Sequence, residues 1–213
     1  MNTQTALKLV CSLAVMLAIG LPQETSAETT GKREDFVIFG DSLSDTGNRF
    51  YDTGEMNTPP YEFAASENLI PSLAYAIGGP TYTNGKVWVQ HLVQSLGVPG
   101  AAQAALRSDG VAANYAYAGA RASNAAPLPP NSNRNLGDQV DVYMADIAAG
   151  GIAQETVHVI FIGGNDIAGA LVLASLGGDP TPVITNAVTS VFDNAMQLVS
   201  AGAHRFLIVT APN

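Results

Sequence analysis

The chain has 213 residues, enough for one sizeable core and too few for two. Apolar residues make up 47% and charged residues 13%, a folded rather than a disordered composition. The net charge is −9 and the nine Lys and Arg are scattered, so no basic stripe exists for nucleic acid or an anionic membrane surface.

The first element is a targeting signal. Lys8 is followed by an apolar run over residues 9–21, too short for the roughly 20 residues a membrane span needs. Small residues at Thr25, Ser26 and Ala27 mark a cleavage point, so residues 1–27 read as a secretory signal peptide and 28–213 as one domain. Cys11, the only cysteine, leaves with that signal, so the mature chain has no disulfide and no thiolate metal site. Export without disulfides suits a bacterial periplasmic, secreted or surface protein.

Strand-like and helical patterns then alternate. Residues 36–39 form a first strand. Asn84 can cap a helix over residues 86–96, with Gly97 as its stop. Residues 111–118 are a second strand, 138–149 a helix ended by Gly150 and Gly151, and 157–162 a β-branched third strand. Thr181 and Pro182 open a helix through Ser200 that Gly202 ends, and residues 206–209 are a fourth strand. This alternation implies parallel strands joined by right-handed crossovers, an α/β doubly wound fold. Two long polar connections, residues 49–84 and 123–137, are candidate walls of a site.

Ligands of open parallel sheets bind beyond the carboxyl ends of the strands. Three such ends carry suggestive groups: Gly40-Asp41-Ser42, Gly119 in "NYAYAGARAS", and Gly163-Gly164-Asn165-Asp166. A serine nucleophile needs hydrogen-bond donors where negative charge develops. The N–H groups of Ser42 and Gly119 and the Asn165 amide are of the right kind, and Gly119 has no Cβ to block approach. Each signal alone has an ordinary explanation as a cap or turn; their occurrence at three successive strand ends is what points to chemistry. Neither phosphate-binding glycine motif occurs, and the G-x-S-x-G elbow is absent because Ser44 stands at its second glycine.

"FGDSLSDTGN" resembles the first block of the GDSL, or SGNH, serine hydrolases. "YTNGKVWVQHL", "NYAYAGARAS", "LGDQVDVYM" and "VIFIGGNDI" resemble later segments of that family, in order, from about Asp35 to the last residue. The resemblance implies a flavodoxin-like α/β/α sandwich and hydrolysis of carboxylic esters, lipid or small-molecule, with no metal or other cofactor. It makes Ser42 the nucleophile and first oxyanion donor, Gly119 and Asn165 the other donors, and Asp41 and Asp166 supports of the site loops.

The family's last block, an Asp three residues before a His, is missing. The His would take the serine proton and the Asp would orient it. Of the three histidines, His158 lies about five residues before Gly163, which at ~3.3 Å per residue puts it near the wrong end of the sheet. His204 precedes the last strand and His91 sits in a crossover helix. The sequence therefore reads as the amino-terminal portion of a hydrolase whose His and Asp lie beyond Asn213, with a carboxyl-terminal membrane anchor or barrel also conceivable there. The alternative is a non-catalytic extracellular binding domain that keeps the cleft.

Overall fold

The computed structural model describes residues 36–53, 81–83, 85–107, 113–131, 133–147 and 151–210. Residues 1–35 (which include the stretch read as a signal peptide), Asn84 and most of the first long connection lie outside the described residues.

Three parallel strands, β1 (Phe36–Gly40), β2 (Val157–Phe161) and β3 (Arg205–Ile208), pair in the order β1-β2-β3, with Gly40 opposite Phe161. The strand expected at residues 111–118 is reduced to isolated parallel bridges of Asn114 with Ile38 and with Ala104. It still runs beside β1: Ile38 N–H donates to Ala113, Tyr115 N–H to Ile38 and Tyr117 N–H to Gly40. Small alanines and a polar Asn give this segment little β-propensity, so it keeps the pairing direction without a regular ladder. The spatial order is therefore residues 113–117, β1, β2, β3. The chain reverses its direction of travel across the sheet between β1 and β2, where a doubly wound fold opens its crevice.

The helices are α1 (Asn48–Thr53), α2 (Trp88–Ser95), α3 (Leu136–Asp146), α4 (Gly164–Ser175) and α5 (Thr181–Ser200). Strand alternation divides the core. Val37, Phe39 and Ile160 face Tyr115, Tyr143 and Leu198, on the side of α3 and α5. Ile38 and Val159 face Val89 and Val93 of α2. Helices thus cover both faces, and the α/β/α layering inferred from the sequence holds.

Several boundaries differ from the expected ones. α3 starts two residues earlier than read, because Asn135 is its N-cap and donates its N–H to Asp138 at 2.9 Å. α2 starts at Trp88, with the Val87 N–H bonded to the Gln90 side chain, and stops before Gly97 at φ +77°. α1 occupies the beginning of what reads as a polar connection, and α4 begins inside the Gly-Gly-Asn-Asp stretch, with Gly163 as its N-cap and Asn165 and Asp166 in its first turn. α5 keeps its expected limits. Among the described residues no helix is long and apolar enough to cross a membrane.

Candidate active site

The mouth of β1 is built from buried polar groups. Gly40 is clamped by Gln139 of α3, which accepts from its N–H at 2.9 Å and donates to its carbonyl at 2.8 Å. A side chain at position 40 would meet the Phe161 carbonyl at 2.6 Å, so only glycine lets the two strand ends come this close. The chain then folds on Asp41. Its carbonyl accepts from Ser44 and Asp45 N–H at 3.0 and 2.9 Å, and its carboxylate accepts from Leu43 N–H at 3.0 Å. Ser42 is left half-buried at the corner of this turn.

Asp45 fixes the turn to its surroundings. Its carboxylate accepts from the N–H groups of Gly47, Asn48, Arg49 and Ala118, at 2.7, 2.6, 3.2 and 2.8 Å. It thereby supports the first turn of α1 and ties it to the segment that carries Gly119. Asn48 extends the tie, donating to the Asn114 and Ala116 carbonyls and accepting from Leu106 N–H. Asn114 in turn donates to the Ser44 carbonyl at 2.8 Å and to Thr46 Oγ1 at 3.0 Å.

Gly119 sits at φ +79°, a conformation that favours glycine. Both carbonyls flanking its N–H are engaged. Arg49 donates to the Ala118 carbonyl at 3.2 Å and to Asn133 Oδ1 at 3.0 Å, while Asn133 and Asn131 donate to the Gly119 carbonyl at 2.9 and 3.3 Å. Among the described residues the Gly119 N–H has no acceptor.

Asn165 is the second residue of α4. One Nδ2 hydrogen goes to the Ala120 carbonyl at 2.7 Å, which orients the amide and leaves the second hydrogen for another acceptor. The next residue, Asp166, is buried and accepts from the Ala122 and Ser123 N–H groups at 2.8 and 3.3 Å. Burial raises the Asp166 carboxyl above the usual range against the pull of those N–H groups. Burial also pushes Asp41 up to about 6; its bond from Leu43 opposes the rise and the nearby Asp166 adds to it. Both carboxylates thus accept from loop backbone N–H groups.

Ser42, Gly119 and Asn165 line one open cleft of about 260 Å³, together with Arg49, Tyr82 and Ala118. The three residues chosen at separate strand ends are therefore brought together. The sequence reading singles out neither Arg49 nor Tyr82 as a site residue: Arg49 opens the long polar connection, and Tyr82 enters only as the first residue of "YTNGKVWVQHL". Gln139, Asn48 and Asn114 escaped it because their partners lie 99, 66 and 70 residues away.

None of the three histidines borders this cleft. His158 is wholly buried in β2 opposite Val37, three residues back from the strand end, with Nε2 3.1 Å from the Tyr143 hydroxyl. Burial pushes its pKa down to about 4. His91 and His204 are exposed, on α2 and before β3. Among the described residues no cluster of His, Cys, Asp or Glu could hold a metal ion.

Among curated proteins none matches this sequence. The family model of the GDSL-like lipases and acylhydrolases, however, matches residues 36–213, which takes in every strand and helix and all the cleft residues described above. On that match the chain belongs to the GDSL-like lipase/acylhydrolase family, hydrolases of ester bonds.

Proposed function

We propose that this chain is the catalytic portion of an exported serine esterase or lipase-like hydrolase that cleaves carboxylic esters through an acyl-enzyme on Ser42. The convergence of Ser42, Gly119 and Asn165 on one cleft carries this reading. Ser42 Oγ attacks the ester carbonyl. The tetrahedral oxyanion that forms takes the N–H groups of Ser42 and Gly119 and the Asn165 amide, donors fixed before the reaction starts. Loss of the alcohol leaves the acyl group on Ser42, and water then releases it.

Arg49 acts on the second donor. In a trans peptide the C=O and the following N–H point in opposite directions. By holding the Ala118 carbonyl, Arg49 fixes the direction of the Gly119 N–H.

The Ser42 proton needs a base within hydrogen-bond reach, and no histidine of this chain borders the cleft. The Asp-x-x-His pair that the family resemblance implies would supply this base in a chain that carries it. Export rests on the signal-like residues 1–27, and the substrate is a small-molecule or lipid acyl ester. The lack of a histidine at the cleft also favours a second reading, a binding domain that retains the fold without turnover.

One substitution tests the assignment. In a chain that carries the downstream pair, Ser42→Ala abolishes hydrolysis of a short-chain nitrophenyl ester and leaves circular dichroism unchanged. Near-wild-type turnover by the folded variant would sink the assignment of Ser42, and absence of turnover in the parent would favour the binding domain.

A further inference from the structure

Trp88, the only tryptophan, opens α2 and is half-buried. Its ring packs beside the cluster of Ile38, Val89 and Val159. Two contacts leave it in different directions. The indole Nε1–H donates to Ser44 Oγ at 3.0 Å. The ring meets Phe161 edge-on, centroids 5.9 Å apart at 66°.

Ser44 lies in the turn that carries Ser42, and Phe161 ends the strand that leads to Asn165. Ser44 is fully buried two residues after Ser42, with its N–H on the Asp41 carbonyl and its own carbonyl bonded by Asn114. Phe161 is the last residue of β2, four before Asn165. An indole is a donor only, and when buried it usually finds an acceptor. A purely apolar residue could fill the same volume but could not also bond the turn that carries Ser42.

We propose that Trp88 is a positioning residue that clamps the Ser42 turn to the mouth of β2, so that the nucleophile and the Asn165 loop keep a fixed separation. This rests on the roles given above to Ser42 and Asn165. Fixed separation matters because a misplacement of about 1 Å can cost about 10²-fold in rate.

The full 213-residue chain carries the test. With one tryptophan, a ¹H–¹⁵N spectrum has one indole signal. Ser44→Ala shifts it and speeds its exchange with solvent. Trp88→Phe keeps a ring against Phe161 and removes the donor, whereas Trp88→Ala removes both contacts. The reporters are the amides of Leu43, Ser44 and Asp45, all bonded to Asp41, and the amide of Ile167, bonded to the Gly163 carbonyl.

Ser44→Ala and Trp88→Phe raise exchange at the three turn amides roughly fivefold and leave Ile167 unchanged, as loss of one buried hydrogen bond requires. Trp88→Ala raises both sets. His91→Ala, on the exposed side of the same helix, raises neither. Unchanged turn amides in both Ser44→Ala and Trp88→Phe would overturn the clamp, as would uniform loosening across the sheet. If Trp88→Ala does not fold, the other two variants decide.

A turnover arm separates this proposal from the one it rests on. In a chain with the downstream pair, Trp88→Phe lowers kcat more than it changes KM. Exchange needs no turnover, so an inactive parent with the expected exchange pattern supports the clamp and faults the esterase reading. An active parent without that pattern faults the clamp alone.

Discussion

The mouth of β1 and the flank formed by α5 and β3 are built on opposite plans. At the mouth, Asp41, Ser44, Asp45, Asn48, Asn114 and Gln139 are all buried and all hydrogen-bonded. On the flank, apolar side chains face outward: Val188, Phe192 and Met196 on α5, Leu207 and Ile208 on β3. α5 is held by its other face, chiefly through Val183, Ala187 and Leu198, with Asn194 buried beside them and Ser190 donating to the Ala122 carbonyl. Apolar burial is non-directional and fixes how much surface is covered, not where an atom points. Hydrogen bonds are directional, and a buried one is costly to leave unmade. The molecule places directional bonds where atoms must be aimed and relies on area elsewhere.

The sharpest way to break this comparison is at Asn165. If Asn165 is the oxyanion donor proposed above, then in a chain that carries an Asp-x-x-His pair Asn165→Ala should lower kcat by about 10²–10³ with little change in KM. A change confined to KM would show that the amide positions substrate instead.

A smaller effect compares two glutamines. Gln139 is buried and bonds both polar groups of Gly40, whereas Gln197 is exposed and reaches Asp141 at 3.3 Å. Gln139→Ala should cost about 3 kcal/mol, because the Gly40 N–H loses its partner and a cavity opens. Gln197→Ala should stay within about 0.5 kcal/mol. Denaturant midpoints measure both, and equal losses would erase the distinction between mouth and flank.

The third test is pH. His158 titrates at about 4 when folded and at its ordinary 6.5 when unfolded. The unfolded chain takes up the proton first as pH falls, so stability contributed by the neutral ring is intact above 6.5 and is lost between 6.5 and about 4. From pH 7 to pH 5 the loss is about 2 kcal/mol. Asp41 works the other way: its contribution is present below its ordinary 3.8 and is lost as pH rises through about 6. Comparing wild type with His158→Gln at the two pH values isolates the histidine, and parallel curves would refute its role.

What the sequence revealed follows the same division. Apolar periodicity and glycine stops placed β1, β2 and α5 closely, because burial leaves a local pattern. α4 was hidden because its first turn reads as a Gly-Gly-Asn-Asp loop and nothing before it reads as a side-chain cap. α1 was hidden in a polar stretch because Asp45, not an apolar face, supports its start. The meeting of Ser42, Gly119 and Asn165 at one cleft was legible because Ser42 and Asn165 follow strands and Gly119 follows a segment that runs parallel beside β1. Gln139 and Asn114 were not, since a bond across 99 or 70 residues leaves no mark on neighbouring sequence. Ser44 entered the sequence reading only as the residue that breaks a glycine motif, yet it accepts the bond from Trp88.

Gly40 has a further consequence, for variation in this block. Any side chain there would collide with the Phe161 carbonyl of the neighbouring strand and with Ser44. Leu43, three residues on, is 52% exposed and packs into no core. A library randomised across residues 40–43 should therefore divide sharply: position 40 closed to every other amino acid, position 43 open to many. Broad tolerance at 43 beside invariance at 40 would then separate, within one turn, the position whose backbone the fold constrains from the one whose side chain it leaves to solvent.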